Sequence, residues 1–164
     1  MFRDLSRVRI IFFGTSEFAV PVLHRLATDA NYEIVAVITQ PDKPAGRKQE
    51  PLPSPVKVEV EKLALNILQP DKLTVYSLPP TADVFIVASY GQIIRREVLE
   101  IPKFGALNIH PSLLPKYRGP SPIQTAILNG DHETGVTIMK LDEELDHGPT
   151  LGNFKFQISN SKIK

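Results

Sequence analysis

No cysteine occurs anywhere in the 164 residues, which excludes disulfides, thiolate nucleophiles and cysteine metal sites together. That absence fits a reducing compartment. Long apolar runs are missing too. None approaches the ~20 residues a membrane helix needs, and Met1 to Arg9 carries basic residues but no apolar stretch ending at a small-residue cleavage site. Strand-like sequence starts at Val8, so a mature N-terminus and a cytoplasmic protein are expected. Charge of one sign is equally scarce: 19 Lys and Arg face 18 Asp and Glu, a net charge of +1. This gives no global electrostatic reason for a nucleic-acid or anionic-membrane partner, and only a local basic patch would argue for one. The spacings G-x-G-x-x-G and G-x-x-x-x-G-K-[ST] do not occur, "FGTSEF" falling short of the first. His24, His110, His132 and His147 show no metal-ligand spacing, so no metal is expected.

What is present belongs to one ordinary soluble globular domain: 42% hydrophobic and 23% charged residues. Most of the 15 prolines gather between Pro41 and Pro55 and between Pro102 and Pro122, where shaped loops are expected. Val8–Phe13 is a mostly apolar run closed by Gly14, which suits a strand buried on both faces. Thr15 or Ser16 is the expected cap of a helix with Glu17 in its first turn and Phe18, Val22, Leu23 and Leu26 at helical spacing. A second strand follows over Glu33–Thr39. This β-α-β opening predicts an α/β fold, a Rossmann-like, mostly parallel sheet flanked by helices.

Gln40 to Pro53 is too long for a simple connection, and loops of that length usually carry function or move. Ser54-Pro55 opens a helix to about Ala64. Strands are expected at Asp83–Ala88, Gly105–Ile109, Gly135–Leu141 and Phe154–Ile158, and a helix from Ser121-Pro122 to Asn129-Gly130. Ser159-Asn160-Ser161 resembles a helix cap with no helix behind it, which suggests a chain cut short.

The stretch "NIHPSLLPKYRG" places Asn108 and His110 two residues apart on a strand, so their side chains face the same way. The strand's end is where open α/β sheets hold ligands, and Pro111 keeps His110 extended. Asp142 and Asp146 follow in "KLDEELDHGPT"; either carboxylate could reach and orient the imidazole. An amide, an imidazole and a carboxylate, with no Ser or Cys nucleophile, suit direct acyl transfer: Asn108 for a developing oxyanion, His110 for the same task or the amine proton, Asp146 for proton relay. The plain alternative is a satisfied His and Asn in an ordinary loop, with surface acids unrelated to them.

The run "NIHPSLLPKYRGPSPIQTAILNGDHETGVTIMKLDEELDHGP" resembles the signature of the 10-formyltetrahydrofolate-dependent formyltransferases. "IIFFGTSEFAVPVL", "VITQPDKPAGR", "PSPVK" and "ASYGQII" resemble the methionyl-tRNA branch of that family in order and spacing. The resemblance implies the formyltransferase fold and a catalytic trio of Asn108, His110 and Asp146. It implies a folate-binding turn at Ser112, Leu113, Leu114 and Pro115. Tyr90, Gln92, Ile93 and Ile94, with the Leu141–Gly148 loop that includes Asp142, would enclose the pterin largely through backbone groups. Arg47 would meet the acceptor end of initiator methionyl-tRNA, where a planar guanidinium makes contacts that Lys cannot copy. The donor would be 10-formyltetrahydrofolate.

Departures accompany the likeness. Lys48 is followed by Gln49 and Glu50 where relatives are more basic, and the segment between Gln69 and Asp83 is short. His147 stands where a smaller residue is usual and would either perturb Asp146 or point to solvent. The expectation is an N-terminal catalytic domain over residues 1–164, lacking its last helices and a C-terminal tRNA-binding domain, with weak or no turnover of its own. An amino-sugar-nucleotide formyltransferase and a non-catalytic folate-binding fragment are the alternatives.

Overall fold

The apolar run at Val8 becomes a central strand because both of its faces are covered. The computed structural model describes residues 7–45, 49–79 and 81–158, and the chain divides into two compact units between Ala106 and Leu107. In the first unit β1 (Val8–Gly14) is followed by α1 (Ala19–Ala27) and β2 (Tyr32–Ile38). A short hairpin, β3 (Lys43–Ala45) and β4 (Glu50–Leu52), leads to α2 (Pro55–Lys62) and β5 (Ile67–Leu68). A 3-10 turn over Val75–Ser77, β6 (Val84–Ala88) and α3 (Arg96–Leu99) complete it. The strand order within the unit is β5-β2-β1-β6, every pair parallel.

Phe12, Phe13, Val37, Ile38 and Phe85 are fully buried in this sheet, and the Phe13 and Phe85 rings pack at 5.1 Å. All five residues of β6 are buried, as strands of a parallel sheet are when both faces are covered. Gly14 is required where β1 hands over to α1. A Cβ there would lie 2.6 Å from Phe12 Cε1 and 2.8 Å from Ala19 Cβ.

Two local expectations change. Thr15 and Ser16 do not cap α1; Phe18 occupies that position and no side chain bonds there. Their hydroxyls are drawn to the neighbouring strand end, Thr15 Oγ1 donating to the Tyr90 carbonyl and Ser16 Oγ to Ser89 Oγ, each at 2.8 Å. The long Gln40–Pro53 segment is partly regular, with Lys43 to Ala45 pairing antiparallel with Leu52 to Glu50. Ser54 does cap α2, accepting from Lys57 N at 3.1 Å.

The second unit takes all but the first residue of β7 (Ala106–His110) and runs through α4 (Pro122–Leu128), β8 (Glu133–Lys140) and β9 (Thr150–Gln157). Its strands are antiparallel in the order β7-β8-β9. Here burial alternates, as a sheet with one wetter face requires: Asn108 and His110 are buried while Leu107 and Ile109 are less so, and Val136's neighbours Gly135 and Thr137 point to the buried side. β9 begins at Thr150, four residues before its expected start.

Candidate active site

Strand parity delivers Asn108 and His110 to one buried face, and a closed loop brings Asp146 to them. Lys140 N donates to the Pro149 carbonyl at 2.9 Å, which pinches residues 141–148 into a return loop. Gly148 sits so close to the Lys140 carbonyl that a Cβ would collide with it. Asp146 itself adopts a left-handed conformation, φ 49°, which Asp tolerates better than most residues. Its carboxylate then lies with Oδ1 3.4 Å from Asn108 Nδ2 and 3.5 Å from His110 Nδ1. Asp146 Oδ2 accepts from Gly119 N at 2.8 Å. His110 Nε2 lies 3.0 Å from the Tyr117 carbonyl. All three side chains are buried.

The choice between the two acids is thereby made. Asp146 meets the imidazole, whereas Asp142 Oδ2 lies 3.0 Å from His147 Nδ1. That contact is the main cause holding the Asp142 carboxyl below the usual aspartate range, assisted by the Glu144 amide. His147 therefore turns to Asp142 and not to its neighbour Asp146.

The Ser112–Pro115 turn follows β7 directly. Ser112 N donates to the His110 carbonyl at 2.9 Å, Lys116 N to the Leu113 carbonyl at 3.0 Å, and Leu114-Pro115 is cis. Ser112 Oγ donates to the Lys116 carbonyl at 2.6 Å and is fully buried, so the hydroxyl is spent inside the turn. Thr137 on β8 holds the same turn from beneath. Its Oγ1 donates to the Ser112 carbonyl at 2.7 Å, accepts from Leu114 N at 3.0 Å and lies 2.8 Å from the Asn153 side-chain amide. Thr137, Tyr117 and Gly119 escaped the sequence reading. A Thr on the buried parity of a strand was the available signal for the first.

Tyr90, Gln92, Ile93 and Ile94 lie in the first unit, after β6. The Tyr90 carbonyl accepts from both Thr15 Oγ1 and Gln40 Nε2, at 2.8 and 2.9 Å, and the Tyr90 phenol, which burial pushes up, meets Gln92 Oε1 at 3.2 Å. Gly91 has φ 78°, and a Cβ there would lie 2.5 Å from Gln40 Nε2. Ile94 is half-buried and Ile93 is 88% exposed. Arg47 lies outside the described residues. The base of its loop is tied by Asp42, whose carboxylate meets Gln69 Nε2 at 2.8 Å and Lys57 Nζ at 2.5 Å; Gln69 and then Lys57 hold that carboxyl below its usual range. Among the described residues no group of three His, Asp or Glu is arranged for a metal, and no helix is long and apolar enough to cross a membrane.

A family model described as formyl transferase matches residues 7–162. Methionyl-tRNA formyltransferase of Roseiflexus sp. (strain RS-1) is 52% identical over 151 residues, covering 88% of this chain and 46% of that protein. The enzyme of the same name from Methylacidiphilum infernorum is 47% identical over 161 residues, covering 94% and 50%. The chain thus spans about half the length of the curated relatives it matches. Among solved structures, phosphoribosylglycinamide formyltransferase from Bacillus halodurans aligns at TM-score 0.68 and 23% identity, over 93% of this chain and 81% of that one. The protein of that name from Anaplasma phagocytophilum aligns at 0.71 and 17%, over 95% and 75%. These likenesses show the α/β fold, and the match of the family pattern across nearly every described residue makes this chain a member of the formyl transferase family.

Proposed function

We propose that this chain is a formyltransferase catalytic domain that moves a formyl group from 10-formyltetrahydrofolate to the methionyl amine of initiator tRNA. The observation that carries the reading is the buried convergence of Asn108, His110 and Asp146, in a chain 46–52% identical to proteins named for that reaction. The donor set fits acyl transfer. Asn108 Nδ2 is only loosely committed at 3.4 Å, so its N–H is free to donate to the formyl oxygen as negative charge develops there. The amine attacks the formyl carbon, forming the new C–N bond. Its proton passes through the His110–Asp146 pair toward the departing nitrogen. The Ser112–Pro115 turn, pinned by Thr137, and the loop carrying Asp142 offer main-chain groups for the donor. Roles for Tyr90, Gln92, Ile93, Ile94 and Arg47 rest on sequence likeness alone.

Because the chain spans half the length of those relatives, turnover is best measured on the chain joined to the remaining half of the Roseiflexus protein. Binding of a folate analogue is measured on the chain alone. His110→Ala and Asp146→Asn are each expected to cut formyl transfer to charged initiator tRNA by about a hundredfold or more, in chains that still fold and still bind the analogue. Near-wild-type rates in either variant would sink the assignment. Transfer to amino-sugar nucleotides in preference to tRNA would move the acceptor to that class.

A further inference from the structure

His110 has two ring nitrogens and two neighbours, and the neighbours differ in kind. The Tyr117 carbonyl accepts only, so the nitrogen that faces it at 3.0 Å must carry a hydrogen. The Asp146 carboxylate lies farther away, 3.5 Å from Nδ1, at the outer limit of a hydrogen bond. Asp146 keeps its short contact, 2.8 Å, for Gly119 N. The stronger partner of the ring is therefore the peptide carbonyl on one side and not the acid on the other.

That carbonyl belongs to a residue held in an uncommon conformation. Tyr117 has φ 59°, a left-handed conformation that is unfavourable for a bulky L-residue and persists only where its surroundings impose it. The surroundings are visible. Asn129 Nδ2 donates to the Tyr117 hydroxyl at 2.9 Å. Lys116 Nζ lies 4.7 Å from the centre of the Tyr117 ring and bonds Asp131 Oδ2 at 2.7 Å. Asp131 N in turn bonds the Ala126 carbonyl of α4 at 3.0 Å. The turn is thus tied by both side chains to the end of α4, and its carbonyl is aimed at His110.

We infer that the Lys116–Gly119 turn is a positioning device that fixes the tautomer of His110. Nε2 keeps its hydrogen on the Tyr117 carbonyl, and Nδ1 is the nitrogen at which a proton is gained or released. The bond made by one ring nitrogen dictates the state of the other. Nδ1 then shares a small space with Asp146 Oδ1 and Asn108 Nδ2, the three atoms the proposed reaction needs together. This is the reverse of the arrangement in which a carboxylate holds Nδ1–H and Nε2 does the chemistry. Tyr117, Asn129 and Lys116 act through His110 and are positioning residues. The role of His110 in transfer rests on the function proposed above, whereas the tautomer does not.

The test needs no substrate, so it can fail independently of that function. Nitrogen-15 histidine is incorporated into the 164-residue chain, and long-range proton–nitrogen spectra are recorded, with His110→Gln assigning the signal among the four histidines. In the wild type, Nε2 of His110 should resonate as a protonated nitrogen whenever the ring is neutral, with Nδ1 bearing the lone pair. Tyr117→Ala keeps the peptide and the Lys116–Asp131 pair but removes the bond from Asn129 and the ring against Lys116, and should let the Nδ1–H form appear beside the first. Asn129→Ala is the milder variant should Tyr117→Ala unfold, and should produce a smaller admixture. A neutral wild-type ring with hydrogen on Nδ1 overturns the inference, as does a folded Tyr117→Ala chain with an unchanged spectrum.

Discussion

The two units of this chain solve burial in opposite ways. The described part of residues 7–106 hides apolar strands in a parallel sheet and buries two polar side chains, Thr39 and Gln40, beside the Tyr90 ring; residues 107–158 bury five, Asn108, His110, Ser112, Thr137 and Asp146. The first unit therefore draws its stability from non-directional apolar contact, which tolerates small shifts. The second depends on partners at fixed distances, where one missing group leaves another unsatisfied. The site proposed for catalysis lies where directionality already exists. Substitutions at matched buried positions should bring out the difference.

The largest effect belongs to the first unit. Phe85 is fully buried and packs on Phe13 at 5.1 Å. Phe85→Ala is expected to destabilise by about 3–5 kcal/mol through lost burial and the cavity left behind. Urea unfolding checks it. A loss below about 1 kcal/mol would mean that the sheet collapses onto the gap and that its packing is less demanding than the comparison holds.

An intermediate effect, but a more specific one, belongs to the second unit. Thr137→Val preserves shape while removing the hydroxyl shared by the Ser112 carbonyl and Leu114 N. Each buried group left unpaired costs about 1–3 kcal/mol. The Ser112–Pro115 turn should loosen, weakening folate-analogue binding by about tenfold for each 1.4 kcal/mol transmitted to the site. Thr137→Ser should restore binding more fully than it restores stability, because it returns the hydroxyl without the methyl. Equal binding in all three proteins would show that the turn does not need its hydroxyl anchor.

The same contrast governs what could be read from residues alone. Val8–Phe13 and Asp83–Ala88 were legible as strands because burial on both faces leaves a continuous apolar signature. β5 at two residues and α3 at four are too short to show a period, and prolines at 44 and 51 hide the hairpin that pairs them. Asn108 and His110 were legible from parity. Spacing alone left both Asp142 and Asp146 within reach of the imidazole and the family resemblance pointed to Asp146; its placement depends on the bond from Lys140 N to the Pro149 carbonyl and on one left-handed residue. Tyr117 and Gly119 act at the site through main-chain atoms, which every residue type carries, so no pattern of side chains announces them.

The smallest expected effect separates the two acids that anchor loops. The Asp142 carboxyl is lowered chiefly by His147, and the Asp42 carboxyl chiefly by Gln69 with Lys57 second. An aspartate whose folded value is depressed contributes stability above its unfolded value, near pH 4, and that contribution is lost as pH falls through the folded value. His147→Ala should therefore lower stability slightly at pH 7, and the gap to wild type should close on acidification once Asp142 is protonated in both. Lys57→Met removes only the second support of Asp42 and should shift the acid limb less than His147→Ala does. Both contacts are solvent-accessible, so both effects are modest and screened by salt. Urea unfolding between about pH 7 and pH 2 decides the order. If the His147→Ala gap persists below the carboxylate range, His147 acts through packing and not through Asp142. If Lys57→Met shifts the acid limb more, the ion pair outweighs the Gln69 amide in the first unit, and directional polar support is not confined to the second.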